Sequence, residues 1–389
     1  MTSANGGTRV GVNASIVGEN PTGLGVYAIK LVGELDQRWG DLVIYTSHPE
    51  AFPSLKARIG RVPVCSRPDY GARGHFLRAL WVQSLLRLKA RVAGVTVLLN
   101  TVPERIVGSS MPQITVVHDL LPLCFPAEYP RQQYYFRLLV PRVLRASTMV
   151  VADSENTRLH ISERYGVPLE KIRILHPAYD ATVYRREAFD DSPGGDRDAY
   201  VLYVGNLLPH KNLLRLLDAV AILRWRRPCR LVSRGHGRPA YVRAVRERVE
   251  TLGLGDAVTF LDYLTEAALR RLYTHAACFV LPSLGEGFGI PVLEAMACGT
   301  PVVTSDIPAL REVAADAALF VDLYDAASMA DAMYRVLSDG ELREELRERG
   351  VRRAQAFSWK RTGAEISGVI DEVSRARCSE GPVSGAARS

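Results

Sequence analysis

Short apolar runs alternate with helix-like stretches along nearly the whole chain, and that alternation decides the fold class before any single residue is considered. The early runs are RVGVNAS (9–15), DLVIYTS (41–47), VTVLLNT (95–101), QITVVHD (113–119) and TMVVADS (148–154). A later series comprises YVLYVGN (200–206), CRLVS (229–233), AVTFLDY (257–263), CFVLPS (278–283) and TPVVTSD (300–306). Runs this apolar, separated by helical stretches such as AALRRLYTHA (267–276), suit parallel strands buried on both faces. In PVLEAMACG (291–299), Pro291 suits a first helical turn and Gly299 a C-terminal cap. The two series are separated by YRREAFDDSPGGDRDA (184–199), a polar, aperiodic stretch that reads as a linker. The expectation is an α/β chain of two Rossmann-like domains, 1–183 and 200–359. The small, polar residues 377–389 read as a frayed tail.

Composition narrows the class. With 389 residues, 47% hydrophobic and 23% charged, the chain can build two sizeable cores. It holds no apolar run of membrane-spanning length, and its start, MTSANGGTRVGVNAS, does not read as a signal peptide, so a cytoplasmic location is expected. The six cysteines (65, 124, 229, 278, 298, 378) form no C-x-x-C pair and read as reduced thiols. The net charge of +7 is uneven: Arg73 to Arg91 carries five Lys/Arg and no acid, with Leu77, Leu80, Trp81, Leu85 and Leu88 at helical spacing. That is either a surface helix with a core stripe or a basic amphipathic helix that meets an anionic membrane from the cytoplasmic side. Nucleic acid is not an expected partner, because the arginines do not interleave with aromatic stacking residues.

In open parallel sheets, ligands sit beyond the carboxyl ends of the strands. That filter selects a consistent set of polar residues. After the first run, Gly23 and Gly25 open a helix and suit either a tight turn or close approach to a phosphate. VVHDLLP puts His118 and Asp119 at a strand end, His118 as donor or acid–base group and Asp119 as cap or orienter. ADSEN gives a weaker signal at Ser154. In the second series, VGNLLPHKN places Lys211 near a helix start, where a cation suits a diphosphate. GHGRPA (235–240) follows a strand and fits the dinucleotide-binding pattern, although Ser233 and Arg234 occupy strand positions where apolar residues are expected. SLGEGFGIP precedes a helix with Glu294 in its first turns. Asp196 and Asp198 form a D-x-D, but in the linker and ahead of a strand, which argues against a metal site.

From residue 200 to 360 these features line up as YVGN-x4-KN, LV-x2-G-x-G, VTFLDYLTEAALRRLY and LPSLGEGFGIPVLEAMACGTPVVTSDIPALREV. This pattern resembles the retaining glycosyltransferases of family 4, with GLGVYA and VVHDLLPL matching their first domain more loosely. The resemblance implies a GT-B fold, two Rossmann-like domains facing across a cleft, with a C-terminal helix near 360–376 returning to the first domain. It implies a nucleotide-sugar donor in the second domain and a glycan or lipid-linked acceptor in the first. By motif position, Glu294 would hold the donor ribose, and Gly287, Phe288 and Gly289 the sugar hydroxyls and diphosphate through backbone amides. Glu286 would hold the transferred sugar, Lys211 the diphosphate, and His118 would lie near the anomeric carbon. Gly23 and Gly25 would close over the phosphates, and the base would lie near Tyr263 and Leu264. No metal or other cofactor is expected. One departure stands out: where family members generally carry arginine, this chain has Asn206, and Arg234 is the candidate substitute. The G-N-x2-P-x-K-N form resembles mannosyl- and rhamnosyl-transferring members, which favours a GDP-linked mannose-type donor. The alternatives are an NAD-linked enzyme or epimerase using GHGRPA, and a non-catalytic subunit of a polysaccharide assembly complex.

Overall fold

The computed structural model describes residues 7–53, 55–186 and 200–379. They form two compact units. One contains the chain up to Leu120, Arg131–His176 and the segment from Trp359 onward; the other contains Leu121–Pro130 and Pro177–Ser358. The second unit therefore takes in two short pieces of chain, 121–130 and 177–183, from before the expected boundary at 183. The expected linker is described only as far as Arg186, and Asp196, Asp198 and residues 380–389 lie outside the described residues.

The first unit is built on a seven-stranded sheet: β1 (Val10–Asn13), β2 (Leu42–Thr46), β3 (Arg58–Arg61), β4 (Val97–Asn100), β5 (Gln113–Val117), β6 (Met149–Ala152) and β7 (Ile172–Ile174). Their order is β3-β2-β1-β4-β5-β6-β7, and every pairing is parallel. The second unit has six strands: β8 (Tyr200–Val204), β9 (Arg230–Arg234), β10 (Val258–Leu261), β11 (Cys278–Leu281), β12 (Val302–Ser305) and β13 (Ala318–Val321). Their order is β10-β9-β8-β11-β12-β13, again all parallel. Every residue of β1, β2, β4, β5, β6, β11 and β12 is buried, as expected for strands covered on both faces. Strand order reverses between β1 and β4 in one sheet and between β8 and β11 in the other. These reversals open a crevice at the strand ends, the natural ligand position in each unit.

The helix Trp359–Ser379 completes the first unit by packing on the helix Gly23–Arg38. The two backbones come close because residue 363 is glycine; a Cβ there would sit 2.5 Å from Glu34 Cβ. Trp39 Nε1 donates to Ser367 Oγ at 3.2 Å and Thr362 Oγ1 to the His176 carbonyl at 2.6 Å. Ile366 and Ile370 are fully buried in this contact region of the unit.

The basic segment is helical, but its phase differs from expectation. An α-helix over Gly71–Trp81 runs into a π-turn over Val82–Leu86 and resumes over Arg87–Val92. Trp81, Val82, Leu86 and Ala90 face the core with Val43, Tyr45, Leu98 and Ile106. Of the expected stripe only Trp81 is buried; Leu80, Leu85 and Leu88 are 51%, 46% and 57% exposed. Two causes set this phase. Arg78 is drawn inward by a buried ion pair with Glu104 at 2.7 Å, and the π-turn spends an extra residue before the next inward position.

Candidate active site

In the second unit, the loops leaving β8 and β11 meet at the strand-order reversal. The β8 loop makes a tight turn, Pro209–Lys211, and exits through Asn212 in the left-handed conformation (φ 62°) into the helix Leu213–Arg226. The β11 loop runs through Ser283 and Glu286 to Gly289, whose φ of 117° and Cβ position 2.7 Å from Leu310 Cδ2 both require glycine. The helix Ile290–Ala297 then starts with Pro291 in its first turn and no side chain capping its N-terminus, and it ends before Gly299 at φ 77°. Those amides and the helix dipole suit an anion. Phe288 is buried edge-to-face on Phe357, with ring centroids 5.7 Å apart, which anchors the Gly287–Gly289 turn.

Lys211 and Glu286, predicted separately, come together. Glu286 Oε1 accepts from Lys211 Nζ at 2.7 Å and from Ser283 Oγ at 2.7 Å, with both charged side chains largely buried. The protein thus holds a preorganised cation and an acceptor-rich carboxylate at one point.

Glu294, one turn into the following helix, accepts from the Tyr273 hydroxyl at 2.9 Å. Burial pushes its carboxyl up to about 7, while the Tyr273 hydrogen bond and the charge of Arg234 pull only partly the other way. Arg234 closes β9, in register with Val204 at the end of β8, so it stands beside the loop that carries Asn206. Its guanidinium lies 5.9 Å from the ring centroid of Tyr263, and its Nε has no hydrogen-bond partner among the described residues. Tyr263 itself is 84% exposed, Leu264 is half-buried, and the Asn206 side chain is exposed.

The glycines of GHGRPA answer to the fold. A Cβ at Gly235 would stand 1.9 Å from the Gly205 carbonyl oxygen, and one at Gly237 2.1 Å from that of Leu207. Both are consumed by close passage of the β8 loop, which removes the dinucleotide-binding rationale. Gly23 is the opposite case. It begins its helix, and a Cβ there would meet nothing within 4 Å, whereas one at Gly25 would crowd Pro21 at 2.9 Å. Internal packing therefore explains Gly25 but not Gly23.

In the first unit, His118 follows β5 and is held at both ring nitrogens. Nδ1 lies 2.7 Å from Asp153 Oδ2 and Nε2 lies 2.9 Å from the Thr101 carbonyl oxygen. A carboxylate and a carbonyl oxygen both accept, so the two contacts are made together only when both ring nitrogens carry protons. Burial opposes that charge, but the Asp153 carboxylate, the Thr101 carbonyl and the nearby Asp119 outweigh it and hold the pKa above the usual histidine value. Tyr27, from the helix opened by Gly23, packs edge-on against His118 at 4.5 Å and against Trp359 at 5.5 Å. The orienting carboxylate is thus Asp153 rather than Asp119. Ser154 serves the backbone instead, capping the helix Glu155–Tyr165 by accepting from the Thr157 amide at 3.1 Å. Asp153, like Tyr273, is not singled out by sequence pattern; only its place beside Ser154 at the end of β6 hints at a role.

Comparison with known proteins agrees with this layout. Residues 21–183 match the family model described as Glycosyltransferase Family 4, and residues 185–353 match that described as Glycosyl transferases group 1. The chain is a family 4 glycosyltransferase. It is 29% identical over 332 residues to the O-antigen chain mannosyltransferase RfbU of Salmonella typhimurium, covering 84% of this chain and 90% of that protein. Among solved structures, sucrose-phosphate synthase from Thermosynechococcus elongatus superposes with a TM-score of 0.76 at 20% identity, over 95% of this chain and 100% of that one. Anabaena HepE in complex with UDP and glucose gives 0.72 at 16% identity, over 94% and 100%. The two parallel sheets of this glycosyltransferase are those of the GT-B fold.

Proposed function

We propose that this glycosyltransferase moves a mannose-type hexose, with retention of configuration, from a GDP-linked sugar to a glycan or lipid-linked acceptor in bacterial surface-polysaccharide synthesis. The observation that carries the donor half is the Lys211–Glu286 pair at the β8/β11 reversal, beside the uncapped helix that follows Gly289. Breaking the sugar–phosphate bond adds a negative charge to an already doubly charged diphosphate and leaves an oxocarbenium-like sugar. Lys211 and the helix N-terminus answer the charge on the diphosphate, and Glu286 accepts from the sugar hydroxyls. Glu294 accepts from the ribose diol. Arg234 supplies the second cation that Asn206 cannot. His118, with both ring nitrogens engaged by Asp153 and the Thr101 carbonyl, shuttles no proton. The acceptor oxygen attacks on the face the diphosphate leaves, forming the new C–O bond as the old one breaks, and its proton passes to the departing phosphate oxygen. No metal is required for these steps.

The mannose reading draws support from the relationship to RfbU. A nucleotide donor of some kind draws support from HepE, whose structure holds UDP. For the acceptor side, the outward face of the 71–92 helix offers Phe76, Leu80, Leu85, Leu88 and Val92, all exposed, among Arg73, Arg87, Lys89 and Arg91. That mixture suits an anionic lipid surface, and the protein accordingly works at the cytoplasmic face of the membrane. The deciding experiment is a screen of GDP-mannose, UDP-glucose, dTDP-rhamnose and ADP-glucose for hydrolysis and transfer to lipid-linked acceptor, with and without EDTA. Turnover of GDP-mannose that is indifferent to EDTA is expected. Preference for another nucleotide, or loss of activity with EDTA, overturns the reading; unchanged turnover and donor affinity in Arg234→Ala removes Arg234 from it.

A further inference from the structure

The loops carrying Lys211 and Glu286 are joined by a third piece of chain. Leu121–Pro130 follows β5 in sequence yet belongs to the second unit. Within it, Glu128 is 8% exposed and grips His210, itself 1% exposed, twice. Glu128 Oε1 accepts from the His210 amide at 2.9 Å, and Oε2 lies 2.6 Å from His210 Nδ1. The His210 carbonyl in turn accepts from the Leu284 amide at 2.7 Å, which ties the β8 loop to the β11 loop. Phe125 stacks on the His210 ring, centroids 5.1 Å apart, and occupies the space a side chain at residue 285 would need, 2.8 Å from its Cβ position. Arg238 closes the back of the segment by donating to the Glu128 carbonyl. These ties land one or two residues from Lys211 or Glu286.

We infer that Glu128 is a positioning residue for the donor diphosphate and sugar: it sets the register between the two loops and so the geometry of the Lys211–Glu286 pair. The assignment rests on the proposed donor site. Buried carboxylates that fix both a backbone amide and a side chain hold a loop far more tightly than either bond alone, and misplacement of a charge-binding group by about 1 Å costs up to about 100-fold.

The test compares Glu128→Ala and Glu128→Gln. Glutamine keeps an acceptor for the His210 amide, and its NH2 can donate to a neutral Nδ1, so the conservative variant should behave as the unmodified protein. Alanine removes both bonds. Hydrogen exchange of the free proteins, without any donor, is expected to accelerate at the His210 and Leu284 amides together in Glu128→Ala and to return to normal in Glu128→Gln. The KM for GDP-mannose should rise about 10- to 100-fold in Glu128→Ala, with kcat changed less. Acceleration confined to His210, or an unchanged KM alongside loosened loops, overturns the assignment. If Glu128→Ala does not fold, Glu128→Asp, whose shorter arm reaches only one of the two His210 groups, carries the same comparison. Exchange decides the clamp even if the unmodified protein turns over none of the screened sugars, a result that would sink only the proposed reaction.

Discussion

If Glu294 holds the donor ribose as proposed, donor affinity must depend on pH. Its carboxyl is pushed up to about 7 by burial, and a ribose diol, with two O–H donors, is matched by the ionised form. Binding then requires loss of a proton below that pKa, and the apparent dissociation constant scales as 1 + 10^(pKa − pH). With a pKa of about 7 the factor is about 11 at pH 6 and about 1.1 at pH 8, so affinity should weaken about 10-fold across that interval. The assay is calorimetric titration with GDP-mannose or UDP-glucose, whose diphosphates are fully ionised throughout; a free nucleoside diphosphate would add its own titration. Glu294→Gln should bind more weakly at pH 8 and lose the slope. Stability gives a second reading of the same proton. Because the folded pKa lies above the unfolded value of 4.5, the native state holds the extra proton between about 4.5 and 7, and the stability of the parent falls as pH rises through that window. The Tm of Glu294→Gln relative to the parent should therefore climb over the same range. An affinity flat within about 2-fold from pH 6 to 8, or a 10-fold slope that survives in Glu294→Gln, refutes the assignment of this proton.

Two glycines and one carboxylate give further tests. Gly23→Ala should leave Tm unchanged, since its Cβ has open space, yet lower kcat/KM by close to 10-fold if a ligand approaches that backbone; Gly235→Ala, whose Cβ would strike the Gly205 carbonyl, should lower Tm by several degrees. Asp153→Asn should lower the pKa of His118, read by titrating the nitrogen chemical shifts of the ring; the stabilisation from this pair is full below about pH 6.5 and fades as pH rises through the raised pKa of His118.

Every strand found by its apolar run is present, and the three that such runs did not mark, β3, β7 and β13, all lie at sheet edges. β3 reads RIGR and is mostly exposed; an edge strand covered on fewer sides needs no apolar run, so its pattern carries no signal. The candidate functional residues divide along similar lines. Lys211, Glu286 and Glu294 are legible because strand ends and glycine-opened helices mark them locally. Asp153 and Glu128 are not, because what defines them is a partner 35 and 82 residues away, His118 and His210, and no local spacing encodes such a meeting. The phase of the 71–92 helix was hidden for another reason: a single π-turn and one buried Arg–Glu pair displace the inward row from its α-helical period.

The return of the C-terminal helix to the first unit has a consequence for biosynthesis. Trp359 packs on Tyr27, and Tyr27 on His118, so the surroundings of His118 are finished only by a helix made about 240 residues after it. Until then the apolar face of Gly23–Arg38 lacks its cover, while the second unit already has its whole chain. A chain stopped before Trp359 would thus carry one unit with its whole chain and another with an apolar helix face still uncovered, the kind of surface through which incomplete chains aggregate.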